Sequence, residues 1–156
     1  MLELLLFYMD HHQFAIPTSR VSRITLVTAV IPLPEAPSFV AGVINVSGRY
    51  IPVIHMRSRF GLDRKPATLE EYFIIVRMAG RPVALWVDKV GEIREIDDEA
   101  VTSRVCNETL WPQVQGVTEI DDETILIYDL EACLTPEEGA RLDGALGRLN
   151  KKEGLS

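Results

Sequence analysis

The chain has 156 residues and a formal net charge of −7, from 16 Lys and Arg residues against 23 Asp and Glu residues. A chain of this length forms one domain or two very small ones, and it buries enough surface to fold without disulfides. Hydrophobic residues make up 47% and charged residues 25%, which excludes a disordered or fibrous class. Because the basic residues are scattered, the negative charge disfavours a nucleic-acid-binding protein.

The cysteines and the apolar N-terminus point to a cytoplasmic protein. Cys106 and Cys133 are too few for a disulfide framework and match no metal-binding spacing. We interpret both as small hydrophobic residues in a reducing compartment. Residues 1–9 lack the basic start and the cleavage site of a signal peptide, and they are too few to cross a bilayer.

Short apolar runs between turn residues predict strands at the start of the chain. Residues 4–9 are apolar on both faces, as in a buried strand, and residues 14–16 follow a polar turn. Pro17 is typical of the first turn of a short helix. In that helix Val21 and Ile24, three residues apart, would share one side.

The middle of the chain also predicts strands, separated by proline and glycine. Three prolines interrupt backbone pairing within six residues, and the glycine after Ser47 allows a tight turn. The predicted elements are a strand at 25–31, a loop at 31–38, a hairpin of strands 43–46 and 50–56, a helical turn at 57–62 and a polar loop at 63–71.

The second half also consists of short predicted strands separated by turns, and it ends in a helix. The predicted elements are a hairpin of strands 72–78 and 83–91, an extension of the latter at 92–96, a charged turn at 97–104, a hairpin of strands 116–120 and 124–130, and a helix at 135–149. Alternation puts Val83 and Leu85 on one face and Trp86 on the other. Thr135 with Glu138 forms a capping-box signal, and leucines then recur at helical spacing.

These elements predict a mainly β fold. About nine short strands at intervals of roughly 8–12 residues, with one helix at the end, favour barrels or a sandwich over alternating strands and helices.

No group of residues predicts catalysis. Ser47 lacks the glycine two residues before it that a nucleophile elbow needs, so we interpret it as a turn residue. His11, His12 and His55 have no metal-ligand spacing. The acidic runs at 97–99 and 121–123 lie in predicted turns, where solvated carboxylates are common. A small β protein of this kind is better suited to binding partners through strand edges or apolar grooves.

One central segment resembles a known family. Residues 39–61 read FVAGVINVSGRYIPVIHMRSRFG and strongly resemble the CheW family of chemotaxis coupling proteins, whose pattern is approximately F-x-x-G-V-x-N-L-R-G-x-x-I-P-V-I-D-L-R. The similarity extends to residues 5–16, to Val21 and Ile24, and to residues 83–90 and 124–149, so that it covers essentially the whole chain.

The resemblance implies a fold and a domain organisation. The expected fold is all-β in the main, with two small five-stranded SH3-like β-barrels packed side by side, short helices and one C-terminal α-helix. The CheW-like domain would occupy residues 1–135, a helix packed on it residues 136–150, and a tail residues 151–156. We expect a single adaptor module without a receiver domain.

The resemblance also implies a role without catalysis, cofactor or metal. The family bridges the cytoplasmic tips of chemoreceptors (methyl-accepting chemotaxis proteins) to the regulatory domain of a CheA-type histidine kinase, in the cytoplasm at membrane-associated receptor arrays and without direct membrane insertion. One barrel docks on the kinase, and a groove between the barrels accepts the receptor's helical hairpin. The partner-binding residues that the resemblance implies here are Val21, Arg23, Ile24, Phe39, Gly42, Asn45, Ser47, Gly48, Arg49, Ile51 and Arg57.

Three positions depart from the family pattern. Ser47 stands where the family has Arg, Arg23 stands where an acid usually precedes Ile24, and His55 stands where Asp is common. We expect all three near the partner-binding surface, where they bear on partner choice. Two other hypotheses remain: a related scaffold in a chemosensory-like pathway for pili, surface motility or a second messenger, and a small ligand-binding barrel or enzyme.

Overall fold

The computed structural model describes residues 1–103 and 113–152, so Cys106 lies outside the described residues. The described residues form eleven strands, two α-helices and three short 3₁₀ turns. The strands are β1 (Leu2–Met9), β2 (His12–Pro17), β3 (Val21–Leu26), β4 (Val40–Val46), β5 (Arg49–His55), β6 (Tyr72–Met78), β7 (Arg81–Val87), β8 (Lys89–Ile96), β9 (Thr102–Ser103), β10 (Val114–Ile120) and β11 (Glu123–Tyr128). The helices are α1 (Met56–Arg59) and α2 (Pro136–Lys152), and the 3₁₀ turns are Thr18–Arg20, Asp98–Ala100 and Leu130–Ala132.

The strands form two sheets, which confirms the predicted class. The first sheet has the order β8-β1-β2-β11-β10-β9, in which β9 contributes only two residues, and the second has the order β3-β6-β7-β5-β4. Strands β3 to β7 are therefore an insertion between the second and third strands of the first sheet. Within each sheet one parallel pair, β2 with β11 and β5 with β7, joins antiparallel hairpins.

Three apolar clusters hold these sheets together. The buried residues of one cluster all come from the first sheet, and those of a second cluster all come from the second sheet. The largest contains residues of both sheets and of α2, so it packs the two sheets against each other. Strand β1 serves two clusters, because Leu4 and Leu6 lie in the first-sheet core while Leu5 and Phe7 lie in the shared core. Its apolar residues on both faces are explained by this position.

Three predicted hairpins are confirmed and are tight. Each has two turn residues with positive φ, the geometry that matches the twist of the flanking strands. The turn pairs are Ser47-Gly48, Ala79-Gly80 and Asp121-Asp122. The short connections fix the register of the strands on either side.

The predicted helix at Val21 and Ile24 is wrong. Pro17 ends β2, the 3₁₀ turn Thr18–Arg20 follows, and Val21 already begins β3. The pairing of β3 with β6 shifts register between Val21 and Arg23. A bulge at this point changes which face successive side chains occupy, so a spacing of three arises within a strand.

The expected extension of β7 through residues 92–96 is also wrong. The chain leaves the second sheet after Val87 and enters the first sheet at Lys89, with Asp88 between the two strands. Strand β8 then pairs with β1, opposing Ile93 to Leu5. The sequence concealed this change of sheet because only Asp88 separates the two strands, so no turn segment marks it.

The C-terminal helix begins where predicted and extends to Lys152. Leu142 and Ala145 are fully buried in the shared core, and Leu146 and Leu149 pack against it. The predicted apolar face is therefore confirmed. Cys133, just before the helix, is a buried free cysteine.

Candidate functional site

An apolar groove lies where the two sheets meet. It is a cavity of about 200 Å³ lined by Leu5, Thr18, Val21, Ile24 and Ile93. Leu5 and Ile93 come from the first sheet, whereas Val21 and Ile24 come from the second. Strands β8 and β3 are each the first strand in the order of their sheet. The groove thus lies between one edge strand of each sheet.

The groove exposes large apolar side chains to solvent. Ile24 is 39% exposed and Ile93 is 57% exposed. Leu26, two residues after Ile24 on β3, is 60% exposed and continues the same face of the strand. Adjacent exposed apolar side chains are typical of a surface that binds another protein.

The walls of the groove follow from local structure. The bulge in β3 lets Val21 and Ile24 line one cavity although they are three residues apart. On the other wall, Ile93 opposes Leu5 directly across the β1–β8 pair, so both side chains stand on the same face.

Side-chain hydrogen bonds and an ion pair hold the 3₁₀ turn Thr18–Arg20 at the edge of the groove. The Thr18 hydroxyl donates to the Glu3 carboxylate at 2.6 Å. Arg20 donates to the carbonyl of Arg77 at 2.7 and 3.0 Å and pairs with Glu131. The exposed Arg23 makes no hydrogen bond or ion pair with any other residue in the described part of the chain. Within residues 1–103 and 113–152, Arg20 is therefore fixed by its partners, whereas the Arg23 guanidinium on β3 is not.

The sequence-predicted residues fall into three places. Val21, Ile24 and Arg23 lie on β3, with the first two inside the groove. Asn45, Ser47, Gly48 and Arg49 are exposed together at the β4–β5 turn, where the Asn45 side chain accepts a hydrogen bond from the Gly48 N–H at 2.9 Å. The remaining four, Phe39, Gly42, Ile51 and Arg57, are buried.

Three of these buried residues are parts of the packing. Phe39 lies in the shared core, with the Arg59 guanidinium 4.7 Å from its ring centre. Ile51 belongs to the second-sheet core. Gly42 has φ +148°, and a Cβ there would lie 2.1 Å from the carbonyl oxygen of Ile31. These three residues contribute to packing and not to the exposed surface.

Arg57 is the centre of a buried ion cluster. Its Nη1 lies 2.6 Å from Asp10 Oδ1 and 2.7 Å from Asp88 Oδ2, and its Nε donates to the Asp63 carbonyl at 2.6 Å. The Arg57 hydrogen bond lowers the pKa of the Asp10 carboxyl below its usual value. The same hydrogen bond, in which Arg57 is the donor, raises the pKa of the Arg57 guanidinium, so Arg57 and Asp10 are both charged at neutral pH.

His55 does not lie at the surface as expected. It is buried, its ring centre lies 4.4 Å from that of Trp86, and its Nδ1 has no hydrogen-bond partner in the described chain. Burial lowers the pKa of His55 to about 4, so it is neutral at physiological pH. Trp86 in turn donates to Glu71 at 2.7 Å. This departure from the family pattern therefore lies in the interior.

The sequence missed Leu26 and Ile93 as candidate site residues. Ile93 stands between charged residues on β8, and Leu26 stands between threonine and valine at the end of β3. An isoleucine between charged residues could have indicated an apolar side chain at the surface. Only the pairing of β8 with β1, however, places Ile93 beside Val21 and Ile24.

Within residues 1–103 and 113–152, no group of three or more His, Cys, Asp or Glu side chains is arranged to hold a metal ion. Ser47 is a turn residue with φ +51°, and Asp121 at the β10–β11 turn pairs with Arg94 at 2.9 Å. None of the helices in the described ranges is both long and apolar enough to span a membrane.

Three kinds of comparison with known proteins give matching results. The family model of the CheW-like domain matches residues 3–138. The chain is 28% identical, over 138 residues, to the protein named chemotaxis protein CheW of Rhizobium meliloti (strain 1021), covering 87% of this chain and 89% of that protein. A chemotaxis protein CheW of Treponema pallidum (strain Nichols) is 26% identical over 148 residues, covering 90% and 86%. Among solved structures, the scaffolding protein TtCheW from Thermoanaerobacter tengcongensis matches with a TM-score of 0.79 and 26% identity, covering 88% of this chain and 94% of that chain.

Proposed function

Because this chain belongs to the CheW-like domain family, we propose that it is a non-catalytic adaptor in chemotaxis signal transduction. In this proposal it couples the cytoplasmic tips of chemoreceptors to the regulatory domain of a CheA-type histidine kinase. The family match over residues 3–138 and the likeness to a protein titled as a scaffold support this role. We expect it to act in the cytoplasm, beside membrane-associated receptor arrays.

The observation that carries the proposal is the groove between the two sheets. An amphipathic helix presents apolar side chains three and four residues apart, and it binds by inserting them into an apolar groove. The exposed side chains of Ile24, Leu26 and Ile93 form such a surface, and the cavity that Ile24 and Ile93 line accommodates an inserted side chain. The receptor tip is the helical partner that we assign to this groove.

The exposed β4–β5 turn supports a second contact. Asn45, Ser47, Gly48 and Arg49 are exposed, and the Asn45–Gly48 hydrogen bond and a two-residue turn hold them in one conformation. A rigid, exposed turn loses little entropy when it binds. We assign this turn to the kinase regulatory domain, with Arg49 as its charged contact.

Separate binding measurements test the two contacts. We expect wild-type protein to bind each partner with micromolar affinity, or about 8 kcal/mol, in isothermal titration calorimetry. Ile93→Glu places a charge in the groove and should weaken receptor-tip binding at least tenfold while leaving kinase-domain binding unchanged. Leu69→Glu is the matched control, because Leu69 is 97% exposed in the loop before β6.

The kinase contact has its own variant pair. Arg49→Glu should weaken binding to the kinase regulatory domain and spare the receptor tip, whereas Arg141→Glu, at an exposed position on α2, should alter neither. Absence of heat with both wild-type partners at high concentration would contradict the adaptor role. A pull-down that captures the kinase of a pili, motility or second-messenger pathway would favour the related scaffold instead.

A further inference from the structure

The two sheets are tied together by the buried ion cluster of Arg57, Asp10 and Asp88, which we call the Arg57 clamp. Each member belongs to a different part of the fold. Arg57 is in α1, directly after β5 of the second sheet. Asp10 is in the β1–β2 turn of the first sheet, and Asp88 is the residue at which the chain passes from the second sheet to the first.

Two of the three members of the clamp are buried. The side chains of Arg57 and Asp88 are only 9% and 8% exposed, and that of Asp10 is 36% exposed. Further hydrogen bonds hold the arrangement, because the Asp10 N–H donates to Asp88 at 2.9 Å and Arg57 also donates to the Asp63 carbonyl. The Lys65 ammonium also lies 3.5 Å from Asp88 Oδ2, but Arg57 is the one buried cation that contacts both aspartates among the described residues, so it links their positions.

The clamp is connected to the groove through two strands. Strand β8 leaves Asp88 and carries Ile93 five residues later, and β1 carries Leu5 five residues before Asp10. These two strands pair with each other, opposing Leu5 to Ile93. Strands β1 and β8 therefore each have one end next to a member of the clamp. The opposite wall, β3, belongs to the second sheet, whose strand β5 leads directly into the helix that carries Arg57.

We propose that Arg57 is a positioning residue for the groove. By holding Asp10 and Asp88 against the second sheet, it sets the separation of β8 from β3 and so the fit of a helix between Ile93 and Ile24. Arg57 itself, being buried, does not touch the partner. This inference rests on the proposed function, because it assumes that the groove binds the receptor tip.

The test uses Asp10→Asn, which weakens one arm of the clamp in a half-exposed position. Asparagine tolerates the positive φ of 54° at this turn, and the backbone hydrogen bond to Asp88 remains. Asp121→Asn is the matched control. It makes the same change in charge at a turn with φ 53°, and its arginine partner, Arg94, lies in the same sheet rather than across the two sheets.

Two readouts separate positioning from stability. In the free full-length protein, isoleucine methyl NMR at a temperature where both variants are folded should show shifted or exchange-broadened Ile24 and Ile93 signals for Asp10→Asn. The comparison with Asp121→Asn uses the Ile24 signal, which should not change in that variant, because Arg94, the partner of Asp121, is next to Ile93 in the chain. Calorimetry should show receptor-tip binding weakened roughly three- to tenfold by Asp10→Asn alone, with binding of the kinase domain unchanged.

Each outcome bears on the inference. Unchanged methyl signals for Asp10→Asn, or shifted signals with unchanged receptor-tip affinity, would overturn the positioning role of the clamp. An equal effect of Asp121→Asn would also overturn it, because loss of an ion pair within the first sheet would then disturb the groove as much as loss of one between the two sheets. If wild-type protein binds no receptor tip, the proposed function fails, and the methyl signals alone decide whether the clamp shapes the groove.

Discussion

Thr135 and Glu138 cap the C-terminal helix reciprocally. The Glu138 N–H donates to Thr135 Oγ1 at 3.1 Å, and the Thr135 N–H donates to the Glu138 carboxylate at 2.8 Å. The two bonds satisfy two backbone donors that would otherwise have no partner within the helix. They hold the start of α2 where Leu142 reaches the shared core.

Loss of this cap should moderately lower the free energy of unfolding. Thr135→Ala removes the acceptor hydroxyl and should lower the free energy of unfolding by about 1 kcal/mol, or a few degrees in Tm. Thr135→Ser keeps the hydroxyl and is the control. Chemical denaturation measures both, and equal midpoints for the alanine and serine variants would show that the cap contributes nothing.

Replacement by alanine should lower the free energy of unfolding by different amounts at Gly42 and at Gly48. At Gly42 an added Cβ would lie 2.1 Å from the backbone oxygen of Ile31, so Gly42→Ala should destabilise the protein by about 3 kcal/mol or more. At Gly48 no atom lies within 4 Å of such a Cβ, and only the positive φ of 83° opposes it. Gly48→Ala should therefore cost about 1 kcal/mol. Similar losses in denaturant unfolding would contradict the close approach of Ile31.

His55 predicts a loss of stability in mild acid. Its pKa is about 4 in the folded protein, below the ordinary value of 6.5. As pH falls below 6.5, the unfolded chain binds a proton at this site that the folded protein does not bind. The stability is thus present above pH 6.5 and is lost as pH falls towards 4. Between pH 7.5 and 5 this site should reduce the free energy of unfolding by about 2 kcal/mol.

Substitution isolates that contribution. In His55→Gln, the difference in unfolding free energy between pH 7.5 and 5 should be smaller than in wild-type protein by that amount. His11→Gln, at an exposed position in the β1–β2 turn, is the matched control and should keep the wild-type difference. A His55→Gln protein that retains the full wild-type pH dependence would show that other groups cause it.

Arg23 and Ser47 provide a test of how the second sheet closes. They lie on β3 and at the end of β4, the two strands at opposite ends of its pairing order, which become neighbours if the sheet closes into a barrel. Ser47→Arg would then place two positive charges together, and adding Arg23→Glu should create an attractive surface pair of about 0.2–1 kcal/mol.

A double-mutant cycle measures that pair directly. We expect coupling of favourable sign in kinase-domain and receptor-tip binding, with a shift in preference towards classical chemotaxis partners. Coupling of zero, with Ser47→Arg binding as well as the double variant, would mean that the two positions are not neighbours. The correspondence with the family at these two residues would then be wrong.

The elements that could be predicted from the sequence are those whose structure depends on residues close together in the chain. The capping box at Thr135, the two-residue turn at Ser47-Gly48 and the strand alternation of Val83 and Leu85 depend on neighbouring residues, and all appear in the structure. The family motif also depends on residues close together in the chain. Val21 and Ile24 were found as groove residues through that resemblance, whereas their spacing alone indicated a helix.

The sequence by itself determined the class of the fold, the family and the turns. These features follow from short-range backbone preferences and apolar periodicity, which depend on residues close together in the chain. Only the tertiary structure decided that β8 crosses to the other sheet, that Ile93 joins Val21 and Ile24, and that Arg57 is buried between two aspartates. These features depend on pairings between strands far apart in the chain. The burial and partners of a side chain depend on what packs over it, which periodicity along one strand does not specify.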